Sequence, residues 1–458
     1  MRRSESGLIL VVVLWVTAIL TAGCLAVAAA VVLGQSRLRG RRQRLHAEQA
    51  LLSAVEAAKA VLLDEEDSRS ADTLQDPWAR EDERRFCVRM GELDALIYSP
   101  SDGRERPGLE DESARLNANT ATATMLARIP GMTPEVSEVF VQLRDRAGGE
   151  AGNEDNLLAP LSGRSGPFAT EAQLAAALEV SFARAFGADG GISSANDGSA
   201  AHGVATAWTK GLSPHVATAL KHLTVFTWQR NVDAQGAGRV NLNTADVATL
   251  KEAFGQGLSD DQAQALVLSR MERPFASIGE LLTRPLHIKG PDGEEIPIQI
   301  PAPLFREPAD RLTVTDAKVL YGLVNVHTAP AAVLRALPGL SDASAKAIVE
   351  QRRSAEAPGQ GLHSIAWLLD VLSKEEFASV CNFVTTRTGL FRMHIRLRRS
   401  STSGSAGGDL GSPAGNFSAQ LTYILQKRAR AILERDGGRC RNLQWIGWRT
   451  KPSRDDNE

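Results

Sequence analysis

The sequence predicts an α+β protein: one long N-terminal helix, short strands, a large inserted helical block, then strands again. Three observations predict it. Residues 8–33 form a run of 26 residues without a charge, continued by an amphipathic stretch. A motif of about twelve residues occurs three times in the middle of the chain. Segments with a period of two lie on both sides of that block.

The apolar run, LILVVVLWVTAILTAGCLAVAAAVVL, exceeds the roughly 20 residues that carry a helix across a ~30 Å hydrocarbon core. It follows a polar leader, MRRSESG, and precedes Arg37, Arg39, Arg41, Arg42 and Arg44. Beyond these, Ala47, Ala50, Leu51, Ala54, Val55, Ala58 and Leu62 recur at three- and four-residue spacing, one face of an amphipathic helix. The expectation is one helix from Leu8 to Leu63, with residues 8–33 transmembrane and 34–64 its amphipathic continuation. A secretory h-region is ~7–15 residues before a small-residue site, so this run reads as an uncleaved anchor rather than a signal peptide.

Composition narrows the function. The formal net charge of −2 argues against a chain that mainly coats nucleic acid. There is no HExxH, Walker A loop, GxSxG or CxxC, and the eight histidines are scattered, so the chain is not expected to be an enzyme. The four cysteines do not make a disulfide framework. Cys24 lies in the apolar run, and any pairing among Cys87, Cys381 and Cys440 stays open.

After an acidic, turn-rich stretch, RRFCVRM alternates Phe86, Val88 and Met90 as a half-buried strand, and Ala95–Ser99 is a second strand ended by PSDG. The repeat follows: RLNANTATATML from Arg115, RVNLNTADVATL from Arg239 and LVNVHTAPAAVL from Leu323. Each has Asn at its third position (Asn117, Asn241, Asn325), Thr at its sixth (Thr120, Thr244, Thr328) and a final Leu. Three such matches in one chain establish an internal repeat. The Thr is expected to cap a helix of two turns, a Pro-Gly or Gly-rich turn to end it, and Thr133, Ser259 and Ser341 to cap a second helix. The Asn is expected to satisfy backbone groups in the turn leading in. Each copy is therefore read as a helix-hairpin-helix unit. Leu223–Trp228 and Asp310–Asp316 read as short strands, and His287–Pro303 as a hairpin-like excursion. Past the block, Phe391, Met393, Ile395 and Leu397 alternate with Arg392, His394, Arg396 and Arg398, a strand with one basic face. AQLTYILQKRARAILERDG reads either as a strand entering a polar helix or as one helix, and NLQWIGWRT as a closing strand.

These features together resemble the type II secretion system protein K family, the minor pseudopilins, over nearly the whole chain. A polar leader ending in Gly7 before an unbroken apolar helix is similar to that of type IV prepilins and pseudopilins. The usual Glu five residues into the mature chain is replaced by Val12, and its absence marks protein K. EDESARLNANTA is similar to the family's junction into its inserted helical domain. The resemblance implies a pilin-like αβ core interrupted by that domain. The organisation is then a leader at 1–7, the helix at 8–33 and 34–64, and pilin-like strands at 65–113. The inserted domain spans 114–382, with repeats near 115–146, 239–282 and 323–369. Further pilin-like strands span 383–450, and a polar tail 451–458.

The resemblance also implies prepilin peptidase cleavage between Gly7 and Leu8, with methylation of the new terminus. It implies packing of Val11, Val12, Leu14 and Val16 against helices of the I and J minor pseudopilins, and contact with the inner-membrane secretion platform. The place would be the pseudopilus tip, single-pass in the bacterial inner membrane with the body in the periplasm. The arginines after Leu33, taken alone, favour a cytoplasmic body; the resemblance favours the periplasm. It implies no certain cofactor. It leaves calcium possible through stretches such as Asp72–Asp76 or Asp292–Glu295, though no spacing forms a calcium loop. The alternative is a membrane-anchored helix-hairpin-helix DNA receptor of competence type. It is disfavoured because Gly131-Met132-Thr133 and Gly339-Leu340-Ser341 lack the second glycine, and because Asp260 and Asp261 would repel phosphate.

Overall fold

The computed structural model describes residues 5–64, 71–91, 93–101, 104–149, 168–186, 212–255, 257–289, 294–354, 364–399, 418–426, 441–445 and 449–451. Helix α1 runs without a break over Glu5–Asp64. Its first half is apolar around its whole circumference, and residues 10–40 are all exposed. Its second half buries the stripe Ala47, Ala50, Leu51, Ala54, Val55, Ala58 and Leu62.

That stripe packs on a sheet of eight strands among the described residues: β1 Cys87–Met90, β2 Leu93–Ser101, β3 Arg104–Pro107, β4 Glu110–Asp111, β5 Leu390–Arg399, β6 Ser418–Gln426, β7 Arg441–Trp445 and β8 Arg449–Lys451. The main path is β1-β2-β5-β6-β7, antiparallel throughout. Alternation decides the faces: Phe391, Met393, Ile395 and Leu397 all turn inward, joining Trp78, Phe86, Ala95, Ile97 and Leu109 under α1. Trp78 and Phe391 meet edge to face at 4.9 Å. Tyr98 lies on the other face with Arg396 over its ring. AQLTYILQ is a strand, as one of the two readings had it, and residues 427–440, with Cys440, lie outside the described residues. Cys24, Cys87 and Cys381 are free.

The helical block enters the sheet between β4 and β5 and has its own core. Each repeat contributes a short helix, a glycine turn and a longer helix: Ala123–Ala127 with Pro134–Gly149, Val247–Ala253 with Asp260–Glu272, and Ala331–Leu334 with Asp342–Ser354. In the 286–298 excursion, Leu286–Lys289 pairs antiparallel with Glu295–Ile298, and residues 290–293 lie outside the described residues.

Candidate functional site: the repeat units and their joint with the sheet

Each unit begins with a two-residue strand ending on the motif Asn. The structure pairs it in parallel with a strand far along the chain: Asn117 opposite Thr224, Asn241 opposite Thr313, Asn325 opposite Thr385. The Asn side chain then folds over its own turn. Oδ1 of Asn117, Asn241 and Asn325 accepts the N–H two residues on, at 2.9, 2.9 and 3.0 Å. The closing Thr does the same, with Oγ1 of Thr224, Thr313 and Thr385 accepting from Phe226, Thr315 and Arg387. Asn and Thr are the residues whose short polar side chains offer the backbone this alternative partner.

The motif threonines do not cap helices. Thr120, Thr244 and Thr328 sit in the turn itself, their N–H groups donating to the motif Asn carbonyl. The N-cap comes two residues later, at Thr122, Asp246 and Pro330, and Pro330 has no side chain to accept a bond. The turn uses up the residues the sequence assigns to helix, so the first helices span only five, seven and four residues. The second helices are capped where expected. Ser259 forms a capping box with Gln262, and Thr133 and Ser341 accept from Val136 and Ser344.

Two further elements of the unit were not read from the sequence. An arginine of the longer helix reaches back to two carbonyls of the turn: Arg144 to Ala118 and Ala121, Arg270 to Leu242 and Ala245, Arg352 to Val326 and Ala329. Burial, with Arg353 beside it, lowers Arg352 to about 10. The three lie within LRDR, LSR and EQRR, so the signal was present but reads as a solvated charge run. The second motif Asn holds the downstream Phe: Asn119 exchanges two bonds with Phe168, and Asn243 two with Phe275. The third unit has His327 there, stacked on Trp367 at 5.5 Å.

A covering helix completes each unit just before the closing strand: Pro214–Ala219, Ala302–Arg306 and Lys374–Val380. It lies on the glycine turn. A Cβ on Gly131 would stand 2.6 Å from the His215 carbonyl, on Gly257 2.7 Å from Leu304 Cδ1, and on Gly339 2.6 Å from Ser379 Cβ. The turn amides that would meet a phosphate are thus covered by the chain's own helix.

The third unit is the joint with the sheet. Asn325 Nδ2 donates to the Asp72 carbonyl at 3.0 Å, to Asp111 Oδ2 at 3.0 Å and to Thr388 Oγ1 at 2.9 Å. Thr328 and Thr388 hydroxyls also donate to Asp111, at 2.5 and 2.6 Å, and the Thr388 N–H donates to Asp72 at 2.7 Å. Burial, with Asp72 nearby, pushes Asp111 up to about 7 against the pull of the two hydroxyls. Beside it Arg392, turned from β5 toward the block and fully buried, is clasped by Glu112 and Glu171. Glu112 also accepts from Thr224 at 2.5 Å, and Arg115 pairs with Glu110 at 2.7 Å. Burial opposes the charge on Glu110, yet Arg115, His394 and Arg392 bring it down to about 2. Half of the basic face of β5 is therefore spent on the acidic junction Glu110-Asp111-Glu112.

Gly7 and Leu8 lie within α1. Val11, Val12, Leu14 and Val16 are all exposed on it among the described residues. Asp72 and Asp76 of the acidic stretch are buried and bonded to Thr388 and Thr73; Asp292 lies outside the described residues. Among the described residues no group of three or more His, Cys, Asp or Glu is placed to hold a metal ion.

A helix long and apolar enough to cross a membrane, half of it packed on a sheet that carries an inserted helical block, defines an α+β protein built on an N-terminal anchor-type helix. Residues 240–293 and 324–373, the hearts of the second and third units, match the family model of the type II secretion system (T2SS), protein K. In those two segments the chain is similar to the type II secretion system protein K family. A solved chain in the GspK-GspI-GspJ complex of the type 2 secretion system of enterotoxigenic Escherichia coli aligns at 14% identity over 90% of this chain and 99% of that one, with a TM-score of 0.29. No curated protein matches the chain.

Proposed function

We propose that this chain caps a pseudopilus as the K-type minor pseudopilin, joined through α1 to other minor pseudopilins of the I and J types. The observation that carries the reading is the split character of α1. Its second half is committed to the chain's own sheet, while residues 10–33 are apolar on every side and exposed among the described residues. Such a surface suits lipid before assembly and neighbouring helices after it. Val11, Val12, Leu14 and Val16 are the proposed contacts with those helices. Val12 removes the carboxylate that would pair with the amino terminus of a subunit beyond, in keeping with a terminal position.

In the same reading a prepilin peptidase cuts between Gly7 and Leu8, and the new terminus is methylated. Residues 8–33 anchor the chain in the bacterial inner membrane, beside the secretion platform, with the body in the periplasm. The pilin-like core is 65–113 with 383–450, and 114–382 is an inserted domain of three helix-hairpin-helix units. The block's bulk, rather than any reactive group, suits it to a tip. The DNA-receptor alternative is not favoured, because the chain's own covering helices lie on the glycine turns.

The test is the mature N-terminus of the membrane-expressed chain, read by mass spectrometry in a host with an active leader peptidase. A chain beginning at Leu8 supports the reading; one beginning at Met1 overturns the processing step. Cross-linking from position 12 or 16 to a co-expressed minor pseudopilin tests the packing separately.

A further inference from the structure

Between the apolar run and the body, α1 is bare. Residues 34–43 are all exposed, and the first buried residue of the stripe is Ala47. The body closes over the helix at His46, whose Nδ1 lies 3.9 Å from where a Cβ of Gly91, in the β1–β2 turn, would stand. At about 1.5 Å per residue, Leu33 and His46 are about 20 Å apart along the axis. This interval carries Arg37, Arg39, Arg41, Arg42 and Arg44, and no carboxylate lies between Glu5 and Glu48. Among the described residues, Arg37, Arg39, Arg41 and Arg42 make no ion pair.

The arginines occupy two opposed faces of the helix rather than one stripe. At about 100° per residue, Arg37 and Arg41 point to one side, and Arg39 and Arg42 to the other. A single partner helix covers one face of a helix. Positive charge on two opposite faces is matched by negative charge surrounding the helix, which the polar layer around a membrane-spanning helix supplies. That layer begins where the apolar run ends, and flexible arginine stems reach along the helix into it.

We propose that the collar Arg37–Arg42 docks on anionic phospholipid headgroups of the leaflet facing the body, and so fixes the depth at which α1 rests in the membrane. The inference rests on the membrane-anchor reading. It also removes a conflict in the charge pattern: arginines on the exported side run against the positive-inside tendency, and lipid phosphates offset them there.

The full-length chain would be reconstituted in nanodiscs of phosphatidylcholine alone, or with about one-third phosphatidylglycerol, and amide exchange followed over residues 34–46. Exchange about fivefold slower in the anionic discs is expected, with the difference lost at high salt. The variant Arg37→Gln, Arg39→Gln, Arg41→Gln, Arg42→Gln should show no difference while staying in neutral discs, since these side chains touch no core. Equal exchange of the unaltered chain in both discs overturns the proposal. So does slowing seen only in neutral discs that also hold other minor pseudopilins, which would assign the collar to an acidic protein face. A chain that does not stay in neutral discs at all would instead sink the anchor reading, and the collar with it.

Discussion

The second and third units share one motif and use it differently. In the second, Asn241 Nδ2 finds Asp316 Oδ1 at 2.8 Å, at the rim of its own unit, and Thr244 is exposed. In the third, the equivalent amide of Asn325 is fully buried and holds groups from both sides of the sheet–block boundary. The partner lies three residues past the closing Thr in all units: Thr227, Asp316 and Thr388. One geometry closes a unit in two cases and also fastens the block to the sheet in the third. The lesson is that a repeat fixes backbone shape, while the residue facing its free amide fixes what the unit is for.

The joint can be broken hardest at Arg392. Arg392→Met would leave the fully buried Glu112 without its ion-pair partner and half-buried Glu171 with only Arg115, a loss on the order of 3–5 kcal/mol. Denaturant unfolding of the detergent-solubilised chain should show it, and a loss under 1 kcal/mol would mean the joint does not depend on this ion cluster.

Protonation sharpens the same contrast, because the carboxylate that the second unit's Asn241 and Thr244 reach, Asp316, is exposed, whereas Asp111 is buried. A carboxyl raised in the folded state stabilises most below its unfolded value and loses that contribution as pH rises toward about 7. The stability attributable to Asp111 should fall by on the order of 2 kcal/mol between pH 5 and 7. Glu110, held near 2, is charged throughout that window and adds no slope. His222, lowered by burial, adds a slope of opposite sign, since its cost appears as pH drops through its unfolded value. The comparison is therefore the difference between the unaltered chain and Asp111→Asn. The same slope in both would refute the assignment.

Next in size is the matched pair of asparagines. Asn325→Ala should cost roughly 2–3 kcal/mol and Asn241→Ala roughly 1 kcal/mol, because only the first strands buried partners. Equal losses, measured by thermal unfolding, would erase the distinction between the units. Smallest is Ser259→Ala, which removes a capping box from the second unit at a cost of about 1 kcal/mol and should leave the joint's pH dependence unchanged.

Much of this architecture was legible. The apolar run, the seven-residue stripe under α1 and the inward row of β5 follow from periodicity, because each is set by burial on one face. The Asn positions and the second-helix caps were legible because local turns demand particular side chains. The closing strands were not, in full. The strands expected at Leu223–Trp228 and Asp310–Asp316 contain the first two closing strands, but Val384-Thr385 carries no alternation, and a two-residue parallel pairing has no period to detect. The cap was misassigned to Thr120, Thr244 and Thr328, since a threonine before an apolar run looks the same whether it caps the helix or completes the turn ahead of it. The joint at Asp111 joins residues from four distant segments, and nothing local distinguishes that carboxylate from the two beside it.

The placement of the block between β4 and β5 also governs how the chain can come together. Strand β2 must find β5 across roughly 290 residues. Closing so long a flexible loop costs about 4 kcal/mol more than closing a tight turn. Once the block has folded, its two ends are held side by side, with Asp111 and Thr388 already in contact, and the sheet faces only a short gap. Loop-closure entropy therefore favours an order from the middle of the chain outward, with the inserted block first and the seat of α1 last. A chain threaded across a membrane amino-terminus first would expose its unseated helix for as long as the block takes to form.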